Sequence, residues 1–197
     1  MNSIVVSTNT FFSISVILGQ LFFITLVFLF LVSRKKEAPN PWFSFFTTHG
    51  FLFAYSTVIV SLLGSFFYSE IVGFPPCILC LIQRGLFFGE FIIFTIAIFQ
   101  KNKKLFLQWS LGFAIVGGIV AAYNALLQIG FSGFSFCDVG SNGVSCAQRF
   151  IMDFGYITIP VMALTAFLLN IIFILYALYF TRAEKEHEEK NDSELAF

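Results

Sequence analysis

Residues Pro75 to Phe99 read PPCILCLIQRGLFFGEFIIFTIAIF, and this stretch decides how the rest of the chain is read. From Leu81 to Phe99 it carries only two charges, Arg84 and Glu90. It is long enough to cross a hydrocarbon layer about 30 Å thick as one helix. At its head stand two prolines and a Cys-x-x-Cys. The surrounding chain has the same character: 58% of its 197 residues are hydrophobic and only 11% are charged. A soluble domain averages about 25% charged residues, so a water-facing surface could not be covered. That excludes a soluble enzyme and a disordered tail protein. The formal net charge is zero, so no field recruits nucleic acid. The composition describes an integral membrane protein.

Five stretches have membrane-spanning length: about Phe11 to Val32, Gly50 to Tyr68, Leu81 to Phe99, Leu105 to Ile129 and Ile157 to Phe180. The alternating pattern of a membrane barrel is absent, and helices satisfy the backbone of such segments internally. The expected fold is therefore an all-α integral membrane bundle. The first stretch lacks a basic flank before it and a small-residue cleavage site after it, so it reads as a true span and not as a secretion signal. Pro39 and Pro41 are expected to break the chain between spans one and two, with Trp42 and Phe43 at the interface. In span four, Ala114, Gly118 and Ala122, with Gly117, Ala121 and Ala125 beside them, form a stripe suited to close helix packing. Pro160 falls in the first turn of span five, where its missing N–H does no harm.

Basic residues orient the bundle. Arg34, Lys35 and Lys36 follow span one, Lys101, Lys103 and Lys104 separate spans three and four, and Arg182, Lys185 and Lys190 follow span five. These nine of the eleven basic residues share one face, which the positive-inside rule assigns to the cytoplasm. The amino terminus and the loops near 69–80 and 130–156 are then outside, and the Glu-rich tail after Arg182 is a solvated cytoplasmic extension.

All four cysteines fall in the two outer loops: Cys77 and Cys80 in the first, Cys137 and Cys146 in the second. Outside the cytoplasm is where disulfides persist. A metal site is disfavoured, because Cys137 and Cys146 are too far apart for a zinc-ligand pair and His49 and His187 lie at or beyond the opposite face. Passive staples and redox pairs remain. A Cys-x-x-Cys closes so short a loop that it constrains the unfolded chain little, whereas at a helix N-terminus it favours thiolate. Arg84, one turn beyond Cys80 and about 6 Å along the helix axis, is a costly intramembrane cation. It could stabilise a Cys80 thiolate or a reducible ring nearby, or merely anchor the interface. Glu90 reads either as a proton relay or as the partner of a polar group on another helix. The Gly- and Ser-rich loop around Cys137 has the composition of a flexible carrier, so a second pair there could exchange disulfides with the first.

The run Pro76-Cys77-Ile78-Leu79-Cys80-Leu81-Ile82-Gln83-Arg84 resembles the Pro-Cys-x-x-Cys-x-x-Gln/Glu-Arg signature of DsbB/BdbC-type disulfide bond formation proteins. Ser145 to Phe150 and Phe154 to Pro160 look like the BdbC branch. The likeness covers roughly residues 50–180. It implies a four-helix redox core, with residues 1–49 as an extra N-terminal transmembrane helix and linker, residues 50–181 as the core, and 182–197 as a charged tail. It also implies residence in the bacterial cytoplasmic membrane and dithiol:quinone oxidoreductase activity. A thioredoxin-fold thiol oxidase of the DsbA type would be reoxidised, with electrons passed to ubiquinone or menaquinone. By that likeness Cys137 meets the partner, Cys146 exchanges with Cys77, and Cys80 faces the quinone beside Arg84. Gln83 stands where some relatives carry Glu. A vitamin K epoxide reductase-like enzyme is the alternative, although there the loop cysteines precede the Cys-x-x-Cys. A non-enzymatic protein with two structural disulfides is the other. The expected orientation is checked by alkaline phosphatase fusions: active after Phe74 or Gly140, inactive after Lys103 or Phe197.

Overall fold

A proline in the first turn of a helix gives up an N–H that has no intrahelical partner anyway, and two helices of this protein start that way. Pro41 is the first residue of its helix and Pro160 the second of another. The computed structural model describes residues 3–33, 41–100, 102–131 and 145–195, with side chains for 8–33, 41–100, 102–131 and 145–181. Its helices are α1 (Ser3–Ser33), α2 (Pro41–Phe66), α3 (Ile78–Ile98), α4 (Lys104–Ile129) and α5 (Ile159–Leu195), with a π-helical turn, Phe67–Ile71, extending α2. All five are long and apolar enough to cross a membrane.

The second helix starts at Pro41, well before the expected Gly50, so Pro41 opens span two; Pro39 lies outside the described residues. Polar side chains in this first section hydrogen-bond within their own helix: Thr47 and Thr48 each donate to the Ser44 carbonyl at 2.9 Å. A Cβ at Gly50 would stand 2.8 Å from the Phe173 carbonyl oxygen and 2.9 Å from the Ala177 nitrogen. Gly50 is therefore a contact point that lets the α2 and α5 backbones approach, not a boundary. The tail also continues as helix to Leu195, in keeping with its Glu and Lys content.

Helices α2 to α5 close a four-helix ring in which α5 packs on α2 and α4, and α3 on the same two. Helix α1 lies outside it, mainly against α5. The architecture is thus a four-helix core formed by spans two to five, plus one extra N-terminal helix. The small-residue stripe of α4 does serve packing, along Ala114, Gly117, Gly118, Ala121 and Ala125, all buried, while Ala122 turns partly away. A Cβ at Gly117 would overlap the Phe167 ring. That ring stacks on Phe87 of α3, centroids 3.8 Å apart and planes 5° from parallel. Deeper in the bundle, Asn170 Nδ2 of α5 donates to the Glu90 carboxyl of α3. Of the two readings of Glu90, this contact matches the interhelical polar partner.

Gly117→Val should lower the melting temperature in detergent, reflecting overpacking of about 1–3 kcal/mol. Gly112→Ala, where an added Cβ meets nothing within 4 Å, should leave the melt unchanged or slightly raised.

Candidate functional site: three cysteines at the mouth of an apolar cavity

Pro75 and Pro76 end the extended run after the π-helical turn, and Cys77 is the residue that caps α3, with φ −75° and ψ 168°. The helix begins at Ile78, so Cys80 lies in its first turn and its sulfur folds back toward Cys77. The two sulfurs share a hydrogen bond at 3.2 Å. Asn124, fully buried on α4, aims its amide at both, Nδ2 standing 3.5 Å from Cys80 Sγ and 3.9 Å from Cys77 Sγ.

Cys146 arrives from the segment that precedes α5. It is 1% exposed and packs in one cluster with Cys77 and Leu79, walled by Val120, Tyr123 and Leu127 of α4. Cys146 and Cys77 are thus neighbours in one buried cluster. Several contacts hold this segment over the end of the bundle. Gln128 Nε2 of α4 donates to the Gln148 carbonyl at 3.1 Å. Phe150 stacks on Phe74 at 5.0 Å, which in turn stacks on Tyr68. Asp153 and Ile157 then pair across a turn in which Phe154 (φ 50°) and Gly155 (φ 79°) both adopt the left-handed region. Cys137 lies outside the described residues.

The Cys77 thiol is pulled down from the usual 9 to about 6. The Cys80 thiol donating to it is the main cause; burial opposes the shift. The amides of Cys80 and Leu79 at the helix start and the contact with Cys146 add to the lowering. A thiolate capping a helix N-terminus is also favoured by the helix dipole. Of the two sulfurs, Cys77 is the one whose surroundings favour the charged form.

Beneath the sulfurs lies a cavity of about 440 Å³, bounded by α1, α2, α3 and α5, into which Cys80, Gln83 and Arg84 all face. Arg84 does share the Cys80 end of the cavity, but the structure ties its guanidinium elsewhere. Nε donates to Ser65 Oγ at 3.0 Å, one terminal nitrogen donates to the Ser65 carbonyl at 3.2 Å, and the group lies 4.8 Å above the Phe66 ring. It is thereby held rigidly at the cavity wall. Gln83, 4% exposed, has an amide nitrogen with no acceptor among the described residues. A largely apolar chamber with the Gln83 amide and the Tyr68 hydroxyl left over among the described residues, and a fixed cation, suits a flat, carbonyl-bearing ring on an apolar tail. A quinone has that chemistry.

Sequence reasoning singled out Cys77, Cys80, Cys146 and Arg84, which the fold gathers at one end of the bundle. It did not single out Asn124, although an amide within an apolar span is itself a signal. Ser65 gives no such signal, because a serine near a helix end is common.

The family described as Disulfide bond formation protein DsbB matches residues 47–177. The chain belongs to this family and is a multi-pass membrane protein. Among curated relatives, the Disulfide bond formation protein C of Bacillus subtilis (strain 168) is 40% identical over 127 residues, which is 63% of this chain and 89% of that protein. The SPbeta prophage-derived disulfide bond formation protein B of the same strain is 33% identical over 126 residues, 64% of this chain and 80% of that protein. No solved structure matches the chain significantly.

Thiolate absorbance at 240 nm in the reduced protein should rise with a midpoint near pH 6 that is missing in Cys77→Ser. Cys80→Ala, which removes the donor, should move the midpoint up toward the ordinary thiol range. A wild-type midpoint near 9 would contradict the hydrogen-bonded assignment.

Proposed function

We propose that this protein is a disulfide-generating dithiol:quinone oxidoreductase of the bacterial cytoplasmic membrane. Its cysteine end faces outward, and its soluble partner is a thioredoxin-fold thiol oxidase of the DsbA type. The observation that carries this reading is the buried contact of Cys146 with Cys77, beside a Cys80 that opens onto the apolar cavity. A passive staple has no need of a third sulfur within reach of the pair or of a donor such as Asn124 aimed at it.

The chain's own steps follow thiol–disulfide exchange. Two partner thiols reduce a Cys137–Cys146 disulfide, leaving the partner oxidised and both cysteines as thiols. The Cys146 sulfur, deprotonated, attacks Cys77 of a Cys77–Cys80 disulfide. That bond breaks, Cys80 leaves with the electron pair, and a Cys77–Cys146 mixed disulfide forms. Cys137 then attacks Cys146 and releases Cys77. The low proton affinity of Cys77 makes it a good leaving group in this step. Two electrons now rest on Cys77 and Cys80. A bound quinone supplies the two-electron, two-proton acceptor that lets this pair close again. Asn124 keeps a donor on the sulfurs throughout, Arg84 supplies fixed positive charge at the cavity wall, and Gln83 offers its unused N–H.

The test is anaerobic quinone absorbance in detergent after a reduced DsbA-type protein is added to the purified chain. Oxidised quinone should fall in stoichiometric amount, and Cys80→Ser should abolish the loss. Arg84→Met should raise the KM for quinone by about tenfold or more, as expected for removal of a charged hydrogen-bond donor worth about 1.5–3 kcal/mol. Wild-type protein that reduces neither ubiquinone nor menaquinone would overturn the proposal.

A further inference from the structure

Helix α1 lies ahead of the family match, which begins at residue 47, and the redox steps above make no use of it. It is nevertheless tied down along its length. Ser13 Oγ donates to Asp153 Oδ2 at 2.6 Å, and Tyr156 donates to Gln20 Oε1 at 2.9 Å. Gln20 Nε2 donates to Thr165 Oγ1 at 3.2 Å, and Tyr176 donates to the Leu26 carbonyl at 2.9 Å. Lipid provides no hydrophobic force to drive helices together, so polar ties of this kind fix both the position and the rotation of α1. Their partners are α5 and the turn that leads into it.

Toward α2 the same helix behaves differently. The two meet through rings at separate levels: Phe12 against Phe67 and Tyr68 (5.9 and 5.7 Å), and Phe22 against Phe46 (5.8 Å). Between these levels the small residues Ser15, Val16 and Gly19 line the cavity. With Phe12 they recur at helical spacing, so they make one face. The rise from Phe12 to Phe22 is about 15 Å, so the helices are propped apart over a long slot. Ser15, Ser56 and Val60 line this slot and are exposed, which opens it sideways between α1 and α2, where lipid chains lie. Its inner end reaches Cys80, Gln83 and Arg84.

The geometry points to α1 as the outer wall of the quinone site: its Phe12–Ser15–Val16–Gly19 face binds the apolar tail and, with α2, frames a lateral portal to the lipid. This rests on the quinone reading and adds to it a binding role for the helix that the family match leaves out. A lipid-dissolved molecule reaches a cavity inside a bundle sideways, between helices. A slot held open by aromatic props at both ends, and lined between them by small side chains, is suited to that passage.

The experiment uses the full chain in detergent and two readouts that need no turnover. A quinone carrying a photoreactive azide on its tail is cross-linked to wild-type protein and the labelled peptides are mapped. Equilibrium binding of radiolabelled quinone is then compared for wild type, Val16→Trp, Ser15→Leu and Leu18→Trp, the last on the outward face, where Leu18 is 61% exposed. Disulfide exchange with a reduced dithiol protein, followed by alkylation without added quinone, reports whether each variant is folded. Label within residues 12–19 is expected. Val16→Trp and Ser15→Leu should weaken quinone binding at least tenfold with exchange intact, and Leu18→Trp should bind as wild type. Wild-type affinity in both slot variants, with no label in α1, would overturn the role of α1 while leaving the enzyme reading standing. Absence of quinone binding and reduction in the wild type would overturn both.

Discussion

Close contact on α5 is the constraint from which the rest of this bundle follows. In a bilayer, burying apolar side chains against one another gains little over burying them in lipid tails, so helices associate where their surfaces fit tightly or share polar groups. Helix α5 does both. Gly50 admits its backbone to α2, and Gly117 of α4 receives Phe167, whose ring lies flat on Phe87 of α3. Asn170 bonds Glu90 of α3, and Tyr176 bonds a backbone carbonyl of α1. One helix thereby touches every other, and the segment entering it carries Cys146.

That placement has a chemical result. Cys146 is presented by a segment clamped between α4, through Gln128, and the run leading into α3, through the Phe150–Phe74 stack. The clamp brings it against a Cys77 whose proton affinity the Cys80 thiol and the helix start lower. A thiolate, a second thiol and a third sulfur in one buried cluster are the ingredients of disulfide exchange. They sit where the apolar interior begins. On the proposed reading, this boundary lets electrons from a water-soluble dithiol enter a carrier dissolved in lipid.

Much of this was legible without coordinates, because membrane helices announce themselves by length and polarity alone. The five spans, the dithiol ahead of the third and the small-residue stripe of α4 all follow from local spacing. What escaped was whatever depends on a partner far along the chain. The helix beginning at Pro41 was hidden because Ser44, Thr47, Thr48 and His49 dilute its hydropathy, although side-chain bonds to the preceding turn keep such residues within a helix. Gly50 resembled a boundary and is a contact. Asn124 was passed over among apolar neighbours, and the anchoring of Arg84 on Ser65 joins two helices that no local pattern connects.

The class of protein, the number of spans and the chemistry available at one end are written along the chain, since hydrophobic length and a Cys-x-x-Cys at a helix start are local properties. Which sulfur lies against which, where the cavity opens and what the first helix touches emerge when the helices pack. Those outcomes depend on how closely backbones approach at Gly50 and Gly117, and on hydrogen bonds between residues as far apart as Ser13 and Asp153. Such contacts arise from the packing of whole helices, so no single stretch of residues encodes them.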